Sequence, residues 1–317
     1  MRRFDHCDLL WRHFSRRVAV SIICRITRRL LCGVTRLCIA ALVLGFAGPV
    51  VHSQNSADNF VHWSYASYFG TGWYSIGNDL DVFAIRVAPR WHWGEPGLDD
   101  EGNRDIGIEL RAPVTFSVHR FNLDNLGAIF DVDNFGTVSV TPGIEVEVPV
   151  TKRWSLKPLA YGGWGTEING RESAWIYWAG LKSRYRLGSG DLDWSLVNSI
   201  EYIGYTPNEG PSNDAVPVMV GLEFQRPMGD AKLGGHQVYL DWHATYTAYL
   251  DNLKFLVRDV PVSKVADTWE LGLAFSKGKR KLKLWHFEWD RVGLAYRFSS
   301  SGEFQGVALV FRSVFDR

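Results

Sequence analysis

The residues best suited to chemistry lie on one face of an extended segment near position 240. Tyr239, Asp241, His243, Thr245 and Thr247 alternate with apolar or aromatic residues, so their side chains point to the same side of a strand. An Asp beside a His could orient the imidazole as a general base for hydrolysis. Residues two apart on a strand are roughly 7 Å apart, however, too far for a direct hydrogen bond. The chain also contains no His-x-Ser-Asn-Gly run. We therefore expect a structural role, with hydrolysis as the alternative.

Metal binding is the second chemistry that the residue types suggest. The acidic, glycine-containing segment 94–103 has the composition of a calcium loop but not the EF-hand order, so we interpret it as a solvated external loop. The basic run 277–283 could contact lipid phosphates or could form an ordinary charged hairpin. The sequence predicts no metal site and no cofactor. The six histidines after position 53 show no metal-ligand spacing; they are His62, His92, His119, His236, His243 and His286.

Composition divides the 317-residue chain into two unlike parts. The first 53 residues hold nine Arg, two Asp and all four Cys, whereas positions 54–317 hold 26 basic and 32 acidic residues and no thiol. A thiol-free body excludes a disulfide scaffold, a Cys-ligated metal and a cysteine nucleophile there. Its acidic balance argues against nucleic-acid binding. The 14 Trp, 18 Phe and 12 Tyr exclude disorder, because so much aromatic surface must be buried in something.

The first 53 residues read as a secretory signal peptide with an unusually long Arg-rich start. An apolar run at 37–51 follows Arg36 and ends in Val51-His52-Ser53, which predicts cleavage near Ser53, before Gln54. The apolar run is short for a membrane helix. A translation start near Val34, an organellar presequence and a twin-arginine signal are alternatives. We expect export through a bacterial inner membrane, with 54–317 as the mature domain.

A two-residue alternation of apolar and polar side chains dominates the body. Between Asp105 and Val118 the even positions are apolar, whereas the odd positions are charged, polar or small. This pattern predicts a long strand with one apolar and one polar face. Similar strands are predicted at 81–93, 138–150, 154–164, 175–187, 194–202, 216–224, 238–248, 269–275, 292–298 and 307–315.

The segments between the predicted strands also indicate an all-β body. With 60–77 counted as a first, bent strand, the total is about 12 strands (10–14). Only 122–130 could hold a short helix, inside a loop. The apolar set changes parity between 285–289 and Val292, which predicts a bulge or a change of strand partner. Tight turns are predicted at 151–153, 169–171 and 188–190, and longer polar loops at 94–104, 122–134, 206–215 and 250–267.

Long alternating strands fit either a soluble periplasmic β-sandwich or a closed antiparallel transmembrane β-barrel. In a membrane barrel the apolar face meets lipid, aromatic girdles mark both interfaces and the interior is polar. Trp and Tyr lie at the ends of the apolar faces here, for example Trp154 with Trp164 and Trp175 with Tyr185. Together with the export signal, this favours the barrel, in which closure leaves no backbone edge in hydrocarbon.

The body also resembles a known family. Asp58-Asn59-Phe60, 133–137, 172–180 and the terminal segment 306–315 are similar to bacterial outer-membrane barrels of the autotransporter type, in particular the "solitary" barrels without a passenger domain. The resemblance implies twelve strands inserted by the outer-membrane barrel assembly machinery, which recognises the last strand. The expected insertion signal is Val307, Leu309, Phe311 and Phe315. Asp316 and Arg317 depart from the family pattern, which stops on the aromatic. Only 54–57 precede Asp58, so we expect no passenger.

In a barrel, the polar faces would line the lumen. These side chains could set ion selectivity, or opposite charges could cross-link the wall and fill the lumen, and the presence of both signs favours filling. The expected lumen-lining set is Arg86, Arg90, Glu109, Arg111, Glu145, Glu147, Lys182, Arg184, Arg186, Asp241, His243, Glu270, Arg297 and Arg312.

The sequence therefore predicts a non-enzymatic outer-membrane protein with a structural, transport or pore role. Its expected partners are outer-membrane lipid and the assembly machinery, with no nucleic acid. A barrel-embedded lipid hydrolase and a soluble β-sandwich are the alternatives. The oligomeric state and any transported molecule stay open.

Overall fold

The computed structural model describes residues 65–77, 80–119, 136–168, 172–188, 192–209, 212–257, 260–278, 282–284 and 287–317. The predicted signal peptide, its cleavage point near Ser53 and the predicted helix at 122–130 lie outside these residues.

The described chain is almost entirely extended. It begins with a short helix, α1 (Ala66–Phe69), and finishes with a 3-10 helix, η1 (Val314–Asp316). The strands are β1 (Gly72–Ile76), β2 (Leu80–Val87), β3 (Arg90–Trp93), β4 (Gly97–Leu98), β5 (Arg104–Asp105), β6 (Gly107–Arg111), β7 (Val114–His119), β8 (Thr137–Val140), β9 (Gly143–Pro149), β10 (Trp154–Glu167), β11 (Ser173–Arg186), β12 (Asp193–Pro207), β13 (Asn213–Ala215), β14 (Pro217–Leu233), β15 (His236–Val257), β16 (Val260–Ser276), β17 (Leu282–Leu284), β18 (Phe287–Trp289), β19 (Arg291–Phe298) and β20 (Phe304–Val310).

Antiparallel pairing closes the main sheet into a barrel. β1 pairs with β2 from Gly72 opposite Ala84 to Ile76 opposite Leu80. On its other side β1 pairs with β20, from Gly72 opposite Ala308 to Ile76 opposite Phe304. Four wall strands are built from two segments each: β2 with β3, β6 with β7, β8 with β9, and β13 with β14. Counted in this way, the wall is a closed barrel of twelve strands.

Prolines explain three of these interruptions. Pro89, Pro113 and Pro142 separate the two segments of neighbouring wall strands, and proline cannot donate a ladder hydrogen bond. The breaks lie side by side, because the amide of Ala112 donates to Pro89 at 3.1 Å and that of Thr141 donates to Pro113 at 2.9 Å. The regular strand pairing is therefore interrupted at neighbouring positions in three adjacent strands of the wall.

The two faces of the wall are sharply different. Leu271, Leu273 and Phe275 of β16 are each about half exposed on the outside, whereas Glu270 and Ala274 of the same strand are buried. The register continues this division across the sheet, placing Leu273 opposite Leu294 and Glu270 opposite Arg297. The alternation read from the sequence therefore separates outside from inside.

The structure corrects the predicted boundaries at both ends of the barrel. Within the described part of the bent strand expected at 60–77, the strand begins at Gly72, and residues 66–69 form α1. The last strand, predicted to extend to residue 315, ends at Val310 and is followed by η1. Both corrections have one cause: the polypeptide leaves the wall and enters the interior, a change of direction that side-chain alternation does not encode.

Two other expectations concern the loops. The polar loop expected at 250–267 is instead a continued hairpin, in which β15 and β16 pair as far as Val257 opposite Val260. The parity change before Val292 is a change of partner, because β18 pairs with β17 while β19 pairs with β16. No described helix is long and apolar enough to cross a membrane.

Closure between the first and last strands is directly testable, since the body lacks cysteine. Ser75 lies opposite Gln305, so a Ser75→Cys/Gln305→Cys variant is expected to form a disulfide within one chain. Reduction would then change its mobility on a denaturing gel. The matched Ser75→Cys/Ser155→Cys variant, with its cysteines on distant strands, is expected to stay unlinked. Equal linkage in both variants, or none in the first, would contradict the closure.

Candidate functional site: the barrel interior

Two segments of the chain occupy the interior. One is α1 with its flanking residues, and the other is the tail, defined here as residues 311–317, which follows β20. Buried residues from both segments contact inward-facing side chains of the wall. The interior is therefore a packed site built from the wall and the two segments, and its chemistry depends on what they contact.

Aromatic packing holds α1. The ring of Tyr65 lies 5.4 Å from that of Tyr205, and the ring of Phe69 lies 5.1 Å from that of Phe304, in edge-on and tilted arrangements. The hydroxyl of Tyr74 donates to the main-chain oxygen of Phe69 at 2.9 Å. Together these contacts close the lumen around α1 with apolar surface and fix the point where the chain enters the wall at β1.

Ionic and main-chain contacts hold the tail. The amide of Ser313 donates to Asp290 at 3.1 Å, and the amide of Val314 donates to Glu223 at 2.7 Å. Phe315 is fully buried. Its ring lies 4.2 Å from Nζ of Lys157 and 4.3 Å from the guanidinium carbon of Arg184. Cations over an aromatic face are attracted by the ring quadrupole, so Phe315 is held by charge as well as by burial.

The last two residues make further contacts with the wall. Lys157 forms an ion pair with Asp316, and Nη2 of Arg111 donates to the main-chain oxygen of Asp316 at 2.9 Å. Nζ of Lys182 donates to the main-chain oxygen of Arg317 at 2.7 Å. The tail thus adds partners to three buried wall cations, of which Arg111 and Lys157 also pair with carboxylates of the wall.

Glu270 is the centre of one ionic cluster. Nε of Arg297 donates to its Oε2 at 2.9 Å, His243 contacts its Oε1 at 2.7 Å, and Arg317 forms an ion pair with it. Nη2 of Arg317 also lies 2.8 Å from Nε2 of His243. Three strands and the tail therefore meet at one buried carboxylate.

A second cluster lies on the opposite part of the wall. Arg111 is paired with Glu109 and, at 2.9 Å, with Glu145. Arg90 contacts Glu109 at 3.1 Å, and Arg184 contacts Glu147 at 3.0 Å. Opposite charges on neighbouring strands thus compensate one another, as a water-poor interior requires.

The residues predicted to line the lumen share the inward face. Arg90, Arg111, Glu145, Lys182, Asp241, His243 and Glu270 are buried, and Arg86, Glu109, Glu147, Arg184, Arg297 and Arg312 are half-buried. Arg186 is exposed at the rim. Most of these residues meet in the two clusters and around the tail. The sequence reading omitted Lys157 and Glu223, although alternation placed both on polar faces, and it read Asp316 and Arg317 only as a departure from a pattern.

Asp241 and His243 do not form a pair. Asp241 accepts a hydrogen bond from Nε2 of Gln225 at 2.7 Å and lies 3.7 Å from Nη2 of Arg291. His243 instead contacts Glu270 and Arg317. Among the hydrogen bonds of the described residues, none joins His243 to a hydroxyl, so the geometry provides no activated nucleophile there.

The remaining candidates lie outside the interior. Asp99 of the acidic loop accepts hydrogen bonds from Asn103 at 2.7 Å, and this contact lowers the pKa of Asp99. No group of three or more His, Cys, Asp or Glu in the described ranges could hold a metal ion. The basic run 277–283 follows β16 and includes the first two residues of β17, and its residues 279–281 lie outside the described ranges.

The residues expected to form the insertion signal lie in different environments. Val307 and Leu309 are exposed on the outer face, and Phe311 is half-buried with its ring 6.1 Å from that of Trp289. Phe315, predicted on the same strand, lies inside the barrel. Recognition of this set by an assembly machinery stays a prediction.

Two cavities remain in and around the packed interior. One, of about 390 Å³, is lined by charged residues that include Arg90, Glu147, Lys157 and Asp316. The other, of about 510 Å³, reaches residues of both α1 and the tail. Both cavities are lined in part by Arg312.

Comparison with known proteins found similar solved structures at low sequence identity. No family model matches the chain, and no curated protein matches it. The translocator domain of the autotransporter NalP from Neisseria meningitidis aligns at 10% identity over 74% of this chain and 82% of that one, with a TM-score of 0.45. The beta domain of the Bordetella autotransporter BrkA aligns at 10% identity over 75% and 91%, with a TM-score of 0.45. Both of these proteins are autotransporters.

Removing the central carboxylate should release the tail. In Glu270→Gln, Arg297 and Arg317 lose their buried counter-charge, which is expected to cost about 3–5 kcal/mol of unfolding free energy. Trypsin should then cleave after Arg312, and mass spectrometry would detect the loss of 313–317. Glu303→Gln, at an exposed site, is the matched control and should stay protected. Equal protection in both variants would show that Glu270 does not hold the tail.

Proposed function

We propose that the protein is an integral barrel of the bacterial outer membrane, non-enzymatic, with a structural or transport role and a lumen that is closed in this conformation. The observation that carries the proposal is the outward apolar face. Leu271, Leu273 and Leu294 are 52%, 51% and 55% exposed and lie beside one another across β16 and β19. A continuous apolar surface of this kind is unusual on a soluble monomer, and acyl chains would cover it.

Aromatic residues on β10 and β11 support the same placement. Trp154 lies opposite Tyr185 at one end of the pair, and Trp164 lies opposite Trp175 at the other. All four are exposed. The ten residue steps from Trp154 to Trp164, at a rise of about 3.3 Å and a tilt of about 40°, span about 25 Å of membrane. This equals the apolar height of outer-membrane barrels, about 25 Å.

The interior supports a non-enzymatic role. Charges of both signs are paired across the wall and with the tail, and His243 is engaged by Glu270 and Arg317. The hydrolase alternative needs a hydroxyl nucleophile beside that histidine. Lipid is therefore the proposed partner of the outer face, and the assembly machinery the proposed partner during insertion.

Membrane placement has a simple test. Expressed in a Gram-negative host, the chain is expected in the outer-membrane fraction and to migrate faster on a gel before boiling than after it, because a closed barrel stays compact in detergent. As an internal control, Leu273→Arg is expected to impair assembly, since a cation at the middle of the lipid-facing band costs about 2–4 kcal/mol. Recovery in the soluble periplasmic fraction, without a boiling shift, would instead favour the β-sandwich.

Because the lumen is closed, we expect the protein to show no channel conductance in planar bilayers. Both α1 and the tail fill the interior, so neither Tyr65→Ala/Phe69→Ala nor Phe315→Ala/Asp316→Ala/Arg317→Ala alone is expected to open a steady pore. The combined five-residue variant is expected to conduct. A steady open channel in the unaltered protein, or full conductance in either partial variant, would contradict this arrangement.

A further inference from the structure

The 510 Å³ cavity contains a half-buried cation that forms no ion pair with the described residues. Arg86 faces inward from β2, and its guanidinium carbon lies 5.8 Å from the ring centre of Trp178. Its Nε is buried and makes no hydrogen bond. Arg86 makes no ion pair with any of the described residues. A guanidinium with a buried, unpaired Nε is costly, and an anion at that place would relieve the cost.

The carboxylates that line the cavity are few, and one of them is already paired. Six Arg or Lys and only two Glu line it. Glu270 is held by Arg297 and Arg317, and Glu201 makes no ion pair with Arg86 in the described part of the chain. Of the lining cations, Arg111 is paired with Glu109 and Glu145 outside the lining. Arg86 is therefore the cation that a ligand of negative charge fits best.

The same cavity reaches the outer surface of the barrel. β1 begins at Gly72, opposite Ala84, whereas the neighbouring wall strand continues through β3 to Trp93. Just before β1, Oγ1 of Thr71 hydrogen-bonds the main chain of Arg86 in place of a further strand residue. At Gly70, with a φ of 90°, the chain turns into the lumen. The wall is thus incomplete beside Val87.

Apolar residues from the outer face line this opening. The cavity lining includes Phe83, Ile85 and Val87 of β2, together with Leu309 and Phe311 at the end of β20. Val87 and Leu309 are exposed toward the outside. One continuous cavity therefore joins a basic interior to the surface that, under the proposed function, meets acyl chains. Its volume lies within the range of small-molecule sites, about 300–1,000 Å³.

We propose that this cavity binds an amphipathic anion with a single acyl chain. Its carboxylate or phosphate pairs with Arg86, and its chain leaves through the opening along Val87 and Leu309. The inference rests on the proposed membrane placement, because the tail of the ligand is shared with the lipid phase. The head group distinguishes a free fatty acid from a single-chain phospholipid.

Binding to the folded full chain in non-ionic detergent tests the proposal. The probe is cis-parinaric acid, a fluorescent long-chain carboxylate, which is expected to saturate a single site. Arg86→Gln is expected to weaken binding about tenfold or more, the size of a lost charge-assisted hydrogen bond. Arg226→Gln, at an exposed site outside the cavity lining, is the matched control and should bind normally.

Two further arms separate the proposal from non-specific partitioning. Hexadecanoate or lysophosphatidate is expected to displace the probe, and whichever is stronger identifies the head group, whereas hexadecanol and butyrate should not. Val87→Trp, which narrows the opening without changing charge, should also weaken probe binding. Unchanged binding in Arg86→Gln, equal displacement by hexadecanol, or no saturable binding would overturn the proposal.

A folding control keeps the outcomes distinct. Arg86→Gln removes a charge that forms no ion pair with the described residues, so the thermal midpoint of this variant without ligand is expected to equal or exceed that of the unaltered protein. Hexadecanoate should raise the midpoint of the unaltered protein but not that of Arg86→Gln. A lower midpoint would assign Arg86 a structural role and overturn the site. A boiling shift without probe binding would overturn this site alone, whereas absence of the shift would overturn the membrane placement as well.

Discussion

Backbone pairing between the first and last wall strands is the constraint on which the rest of the structure depends. In hydrocarbon an open sheet edge would leave N–H and C=O groups without partners, at several kcal/mol each. The five residue pairs from Gly72 with Ala308 to Ile76 with Phe304 remove that edge. They also fix the register around the barrel. A slip of one residue would move Glu270 and Arg297 to the outside and Leu271 to the inside.

Once the wall is closed, the charged side chains of its inner face need counter-charges inside the barrel. Cross-strand pairs such as Glu270 with Arg297 do part of this, and the tail completes it. Val314 reaches Glu223, Asp316 reaches Lys157, and Arg317 reaches Glu270. Aromatic contacts of α1 fill the interior near Tyr205 and Phe304. The interior is thus filled by the chain itself, and Arg86 stands out because it forms no ion pair with any residue that the structure describes.

Local alternation predicts which face a residue occupies but not what it touches there. Glu270 and Arg297 could be assigned to the inside because a strand repeats every two residues. The contact between His243 and Glu270 could not, since it depends on a register set 27 positions away. The tail was missed for a related reason: Val307, Leu309, Phe311 and Phe315 keep one period, although the chain leaves the wall after Val310. Apolar periodicity cannot distinguish a lipid-facing aromatic from one buried inside.

Oxygen accessibility along β16 tests the two-faced wall most directly. Spin labels placed singly from residue 270 to residue 275, in the protein reconstituted in bilayers, would be relaxed by lipid-soluble oxygen. Accessibility is expected to be high at Leu271, Leu273 and Phe275 and low at Glu270, Gly272 and Ala274. A flat profile, or low values at the leucines as in a stripe packed against a second sheet, would contradict the account.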